Sequence, residues 1–316
     1  MTVPRPLSTT KLAAHCAILY EKMNAFVKIQ RTEEAPHSID SKERLLFAHL
    51  AEFPSMIVAL SGGADSAYLA WAAHRTLGSH ALSVTALSPS YSAHDRSVVE
   101  EFVSQIGIRH EFVETHEIEN PDYRANAPDR CYFCKDELFS VLDSVAKARG
   151  FAAVAYGVNA DDTHDFRPGH RAASEHRVLA PLLDAGLRKT EIRELSRRAG
   201  LSTWDRPASA CLASRLPYGT EVTPERLALV ERGEAALREL GFRQFRVRLH
   251  EKLARVEISP DEMPRALCAE IAASIAARLK AAGFAYVALD LEGYRQGSLN
   301  EGLRLRNKLG SGPIGT

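Results

Sequence analysis

The stretch that most constrains this chain is residues 55–77, where the apolar run SMIVAL is followed by SGGADS and then by the apolar, helix-compatible AYLAWAAHRTL. A short apolar run, a glycine pair and a return to apolar residues at helical spacing read as strand, turn and helix. The same rhythm continues with a strand at 81–87, a helix at 93–106, a strand at 109–114, a helix at 132–149 and a strand at 152–156. Strands alternating with helices in this way predict an α/β domain, doubly wound around a mainly parallel sheet. Residues 159–171 turn polar and loop-like, and 188–199 supply one more helix, stopped by Gly200.

Ahead of this unit, residues 11–28 and 41–53 carry apolar positions at helical spacing and predict a helical extension over 1–53. Behind it, a loop over 205–223 rich in Pro, Ser and Gly precedes a new order: helix 224–240, strands 244–249 and 254–258, helix 266–282, strand 285–289. That order predicts a smaller α+β domain at 205–316, leaving 54–204 as the larger α/β domain. A chain of 316 residues, 45% hydrophobic, can bury cores of this size.

Charge and targeting signals narrow the partners. Lys plus Arg and Asp plus Glu both number 40, so no overall field favours nucleic acid or a membrane surface. The opening MTVPRPLSTT has no apolar stretch behind a charged start, and no run of eighteen apolar residues occurs, which leads us to expect a cytoplasmic protein. Five cysteines, an odd number in a large chain, fit reduced thiols better than a disulfide framework.

The loop Ser61–Ser66 follows a strand and opens a helix, so its backbone amides face the carboxyl edge of the sheet, where such folds bind anions. Gly62 and Gly63 permit close approach of a phosphate, and Ser61 and Ser66 add hydroxyl donors. Asp65 would repel phosphate directly and makes sense as a magnesium ligand facing it. Read alone, the same residues are a glycine turn capped by Asp and Ser; their place between strand and helix favours nucleotide binding. The chain lacks a Gly-x4-Gly-Lys-Ser/Thr stretch here, against γ-phosphoryl transfer.

Cys211 shares a loop with Ser209, Ser214 and Arg215, and a guanidinium beside a thiol favours the nucleophilic thiolate. The bland alternative is a small buried hydrophobe. Cys131 and Cys134 form a C-x-x-C pair at the mouth of a helix, open to a redox pair, a zinc pair, or no special role. Cys16 and Cys268 fall on predicted helices and are expected in the core. Arg246 and Arg248 alternate with Phe245, Val247 and Leu249, so both should project from one strand face, suited to a phosphate monoester or simply to solvent. Asp161 and Asp162 lie beyond the fourth strand, as magnesium or substrate contacts or as turn caps. Glu234 and Glu257 are weaker candidates for holding a metal or neighbouring arginines.

The SGGADS loop resembles the PP-loop of enzymes that split ATP between the α and β phosphates, an adenine nucleotide alpha hydrolase-like fold. That likeness implies pyrophosphate on Ser61, Gly62, Gly63, Asp65 and Ser66, AMP transferred to a substrate oxygen, and adenine against the second strand near Ala86. RCYFCKDELF at 130–139, GVNADDTHDFRPG at 157–169, RPASACLASRLPYGTEVT at 206–223, FRVRLHEKLARVEI at 245–258 and LDLEGYRQGSLNE at 289–301 together resemble LarE, the ATP-dependent sulfur transferase family of lactate racemase nickel-pincer cofactor biosynthesis. The resemblance spans about residues 55–301 and implies a mononucleotide substrate, pyridinium-3,5-biscarboxylic acid mononucleotide, whose adenylated carboxylate becomes a thiocarboxylate. It implies substrate contacts from Ser214, Arg215, Arg246 and Arg248, ATP and magnesium as cofactors, and a homo-oligomer, with a hexamer as the size to test. Some members sacrifice the sulfur of one cysteine in the position of Cys211. Others hold a 4Fe-4S cluster on three cysteines, which here would be Cys131, Cys134 and Cys211. Rival readings are a tRNA thiolase with the same ATP loop, which a basic stripe would favour, an ammonia-dependent ligase related to NAD or GMP synthetases, and a nucleotide-sensing module without catalysis.

Overall fold

A computed structural model describes residues 38–164, 169–207, 209–295 and 297–300. The expected helix at 11–28, Cys16 and residues 165–168 of the GVNADDTHDFRPG motif lie outside these described residues.

The alternation seen in sequence becomes a four-stranded parallel sheet of β1 (Met56–Ala59), β2 (Ala81–Leu87), β3 (His110–Glu114) and β4 (Ala153–Tyr156), in the spatial order β3-β2-β1-β4. All four residues of β1 are buried, as expected for a central strand covered on both faces. Its period of two divides it between two cores. Met56, Val58 and Leu60 pack with Tyr68 and Leu69 of α2 (Ala64–Leu77), while Ile57 and Ala59 face Phe139, Leu142 and Ala146 of α5 (Arg130–Arg149). Among the described residues the first helix, α1 (Ile39–Ala51), begins two residues before its expected start because the Ser38 hydroxyl accepts from the Ser41 amide and caps it. α3 (Ala93–Ile106) follows β2, and the short α4 (Pro121–Arg124) precedes α5.

β1 leads to β2 and β3 on one side, whereas β4 lies on the other side of β1. The strand order therefore reverses between β1 and β4. In open α/β sheets this switch point opens a crevice at the carboxyl ends of the strands. Here both the SGGADS loop and the segment after β4 leave the sheet at that crevice. The stretch 159–171, read as polar loop, holds a 3-10 turn (Ala160–His164) and the start of α6 (Gly169–Glu175), and α7 (Pro181–Asp184) and α8 (Lys189–Arg198) follow it.

The second half forms a separate three-stranded sheet. β5 (Phe245–His250) pairs antiparallel with β6 (Leu253–Ile258), which pairs parallel with β7 (Tyr286–Leu289). α9 (Pro224–Glu239), α10 (Met263–Ala266) and α11 (Ala269–Ala282) complete the α+β unit. Its core joins Leu227, Val230 and Leu237 of α9 to Ile275 and Leu279 of α11 and to Val247, Leu249 and Val256 of the sheet. Tyr123 from the first half of the chain is also buried in this core, with Phe133, Cys134 and Cys211 packed against it.

One expectation fails at Cys268. The sequence suggested a single helix over 266–282 with this thiol inside, but the helix is interrupted and Cys268 takes an extended conformation (φ −63°, ψ 130°) just before α11. The break shifts the helical register, so the thiol is exposed rather than packed.

Candidate functional site

The phosphate loop is built by hydrogen bonds among its own residues. Ser66 Oγ donates to Gly63 O at 3.1 Å, accepts from the Ser61 amide at 3.1 Å, and lies 3.0 Å from Ser61 Oγ. Gly62 adopts φ +81°, open mainly to glycine. Gly63 is the N-cap of α2 and supplies no side-chain cap. The first amides of a fourteen-residue helix therefore present uncapped donors and the positive end of the helix dipole at the crevice.

Asp65 projects from the first turn of the same helix. Its Oδ2 accepts from Asn159 Nδ2 at 3.1 Å, but Oδ1 is buried without a hydrogen-bond partner among the described residues. Burial raises the Asp65 pKa above the ordinary carboxylate value, while Lys189 and the Asn159 amide pull it down and Asp162 pushes it up again. A buried carboxylate oxygen with no donor is costly alone and suited to a cation, so the residues present fit magnesium. The turn-cap reading holds for both neighbouring acids: Asp161 Oδ2 accepts from the Lys189 amide at 2.9 Å, and Asp162 Oδ2 from the Asn159 amide at 3.1 Å. On the other side of the crevice, the carboxyl ends of β2 and β3 frame a cavity of about 330 Å³ lined by Leu87, Ser88, Pro89, Glu114, Thr115, His116 and Ile118. Ala86, the expected adenine neighbour, lies on β2 one residue before that lining.

Cys134 and Cys211 both pack against the second core, and Cys131 lies within their electrostatic reach. Cys131 and Cys134 lie about one turn apart at the head of α5, and Cys211 precedes a one-turn 3-10 helix, Leu212–Arg215. None is in a disulfide. Cys131 is solvent-exposed and Cys134 and Cys211 are half-buried; partial desolvation by the surrounding chain, and then the charge of Cys211, raises the thiol pKa of Cys131. For Cys134, burial and then Glu117 push the pKa up further, with Cys211 adding to them. The three thiols thus lie within electrostatic reach of one another. Among the described residues no three His, Cys, Asp or Glu side chains are grouped so as to hold one metal ion, which leaves the zinc reading without a ligand set. The same finding applies to Cys131, Cys134 and Cys211, which are free thiols that act on one another electrostatically but are not gathered around a common metal position.

Two residues not singled out in the sequence hold this meeting point. Arg130, 3% exposed, donates from Nη1 to Asn126 Oδ1 at 2.5 Å and to Ala213 O at 2.9 Å. Asn126 is fully buried with φ +54°, and its Nδ2 donates to Pro217 O and Thr220 O, each at 2.9 Å. Together they fasten the Cys211 loop to the head of α5. Arg130 was legible as part of the RCYFC motif, whereas no local pattern marks Asn126.

Arg246 and Arg248 do share the face of β5 opposite Val247 and Leu249, but that face is covered rather than solvated. Arg248 forms a two-pronged pair with Glu257 (3.0 and 2.9 Å) and donates to Ser214 O at 2.7 Å and Ser298 Oγ at 2.7 Å. Arg215 likewise pairs with Glu234 (2.7 and 3.0 Å) and donates to Ala210 O, Cys211 O and Ser214 Oγ. The two glutamates hold arginines, one of the roles foreseen for them. Arg246 lies over the Tyr294 ring at 4.9 Å and donates to Phe245 O. Burial, then repulsion from Arg215, lowers its pKa to about 10.

A four-stranded parallel sheet with an uncapped glycine loop at its switch point, beside a cysteine-bearing loop, has the architecture of an α/β enzyme that offers an anion-binding loop next to a set of thiols. No family model matches the chain. It is 32% identical over 270 residues to the pyridinium-3,5-bisthiocarboxylic acid mononucleotide synthase of Lactiplantibacillus plantarum, covering 84% of this chain and 96% of that protein. An uncharacterized protein of Synechocystis sp. is 42% identical over 262 residues, 83% of this chain and 98% of its own length. An uncharacterized protein of Methanocaldococcus jannaschii is 31% identical over 170 residues, 54% of this chain and 66% of its own. The chain belongs to the LarE family, that of the pyridinium-3,5-bisthiocarboxylic acid mononucleotide synthases. Among the described residues no helix is long and apolar enough to cross a membrane.

Proposed function

We propose that this enzyme adenylates a carboxylate of pyridinium-3,5-biscarboxylic acid mononucleotide with ATP and replaces the activated oxygen with sulfur, giving a thiocarboxylate. The observation that carries the reading is the uncapped phosphate loop at the sheet switch point with the Cys211 loop held beside it. Only an activation step followed by attack from sulfur uses both.

In the first half-reaction a carboxylate oxygen attacks the α-phosphorus of ATP and pyrophosphate leaves. The helix amides behind Gly63 and the hydroxyls of Ser61 and Ser66 receive the pyrophosphate, and adenine occupies the cavity beyond Ala86. Magnesium on Asp65 would neutralise charge on the departing pyrophosphate. Arg246, desolvated and repelled by Arg215, gains most from a substrate phosphate, while Arg215 and Arg248 with Ser214 shape the wall behind it.

In the second half-reaction a sulfur nucleophile attacks the acyl carbon and AMP departs with the former carboxylate oxygen. If the nucleophile is the Cys211 thiolate, a thioester results. Loss of the Cys211 α-proton then breaks its Cβ–Sγ bond, leaving thiocarboxylate on the substrate and dehydroalanine in the chain. A cluster on Cys131, Cys134 and Cys211 would instead supply a labile sulfide and spare the protein's own sulfur.

The test is to incubate the enzyme, MgATP and the mononucleotide anaerobically and follow pyrophosphate, AMP and the mass of product and protein. An oxygen-for-sulfur product with AMP formation supports the reading. AMP formation only with tRNA, or an amide product only with ammonia, would replace it with one of the rival functions.

A further inference from the structure

The phosphate loop and the Cys211 loop meet directly at Arg206, whose guanidinium is held in turn by one buried carboxylate. Asp95 lies in the first turn of α3 and is 8% exposed. Its Oδ1 accepts from Ser209 Oγ at 3.1 Å and from Arg206 Nη2, and its Oδ2 accepts from Ser92 Oγ at 2.7 Å. The other arm of the same guanidinium, Arg206 Nη1, donates to Gly62 O at 2.5 Å, in the middle of the phosphate loop. A Cβ on Gly62 would stand 3.0 Å from Arg206 Nη1 and 2.9 Å from Val99 Cγ2, so the contact depends on glycine there.

The residues just before Asp95 repeat the connection. Tyr91 Oη donates to Ser61 O at 3.2 Å, and Ser90 O accepts from the Leu212 amide at 2.9 Å. Arg206 is further steadied by Arg193 Nη2, which donates to its carbonyl at 2.5 Å. Segment 90–95 thus touches the ATP loop at Ser61 and, through Arg206, at Gly62, and it touches the sulfur loop at Arg206, Ser209 and Leu212. An anion on the loop amides fixes the peptide planes around Gly62, and with them the carbonyl that Arg206 grips.

We propose that Asp95 and Arg206 are positioning residues that transmit nucleotide occupancy of the phosphate loop to the Cys211 loop, so that the sulfur centre is set only when ATP or the adenylate is present. The inference rests on the functional reading above. Its chemical sense is protection, because a reactive sulfur held rigidly in the open without an activated acceptor is lost to oxidation or water. Asp95 and Arg206 touch neither substrate nor sulfur and act through the loops they hold. Their mutual ion pair has side-chain exposures of 11% and 12%, so salt screens it weakly.

The experiment is hydrogen–deuterium exchange by mass spectrometry on the full chain, reading peptides over 206–216, with and without saturating magnesium and an ATP analogue bearing methylene between the α- and β-phosphorus. In the wild type we expect the analogue to slow exchange in this segment by about tenfold. In Asp95→Asn the analogue should still protect residues 61–66 while leaving 206–216 unchanged, whereas a purely structural role would loosen 206–216 equally in both states. Ser209→Ala, which removes a single hydroxyl and leaves the Arg206–Gly62 contact, should show a reduced response even if Asp95→Asn does not fold. Equal slowing in wild type and Ser209→Ala, or protection confined to 61–66 in the wild type, overturns the coupling while leaving ATP binding intact. Absence of any analogue binding to the wild type overturns the ATP-loop reading together with it.

Discussion

A Cβ on Gly157 would lie 2.7 Å from both Cα and N of Ser66. The end of β4 and the first turn of α2 are therefore in backbone contact across the switch point, and the phosphate loop takes its shape partly from a residue more than ninety positions downstream. Gly157→Ala cannot relieve this clash by moving a side chain. We expect a stability loss of about 1–3 kcal/mol and weakened nucleotide binding, measured by denaturant titration and calorimetry.

Asp65 carries its charge at a cost in the absence of a cation. Its pKa is raised in the folded protein, so its contribution to stability is present below the unfolded value and is lost as pH rises through the folded one. Asp65→Asn should accordingly stabilise the nucleotide-free enzyme at neutral pH. The same variant should abolish the thermal shift produced by magnesium with ATP and slow pyrophosphate release by about a hundredfold. A variant that keeps the full magnesium-dependent shift would remove Asp65 from the metal site.

Glu234 is the buried partner of Arg215 and also accepts from the Val247 amide at 3.3 Å. Glu234→Ala leaves a guanidinium without its counter-charge in the second core. We expect a loss of about 3–5 kcal/mol by urea denaturation, and a smaller one when Arg215→Met is added, because the uncompensated charge is then gone.

His176 bridges two carboxylates of α5, Asp136 at 2.9 Å and Asp143 at 3.1 Å, and so ties down the chain just after α6. Burial alone would lower its pKa, but the two carboxylates outweigh that and raise it above 6.5. The stabilisation is fully present below the unfolded value and is lost as pH rises through the folded one. Melting temperature should fall across that window in wild type and lose this component in His176→Gln.

The source of sulfur is decided by iron and labile sulfide per protomer on anaerobic protein, in wild type and Cys131→Ala. About four irons lost in the variant would establish the cluster. Iron-free, folded wild type that loses the Cys211 sulfur on turnover would establish the sacrificial route. In either case Cys211→Ala should end sulfur transfer while ATP binding persists.

Much of this was open to a local reading. The alternation of apolar strands and helices predicted the parallel sheet, and β2 and α3 begin and end where the hydrophobic pattern does, at 81–87 and 93–106. Glycine and serine between strand and helix marked the phosphate loop, and the quoted motifs marked the cysteines and the family. These features depend on neighbours within a few residues, where periodicity and turn chemistry act. Cys268 shows the limit: its spacing matches a buried position, and only the interruption before α11 exposes it.

What joins distant segments was not written in any one of them. That Asp95 answers Arg206, that Asn126 grips the turn at 217–220, and that the arginine face of β5 is covered are decisions of tertiary packing. A buried donor or charge must find its partner wherever the fold brings one, and sequence separation carries no information about that distance. The sequence by itself determined the elements and the chemical groups available. The fold determined which of those groups share a crevice, because only burial makes their pairing obligatory.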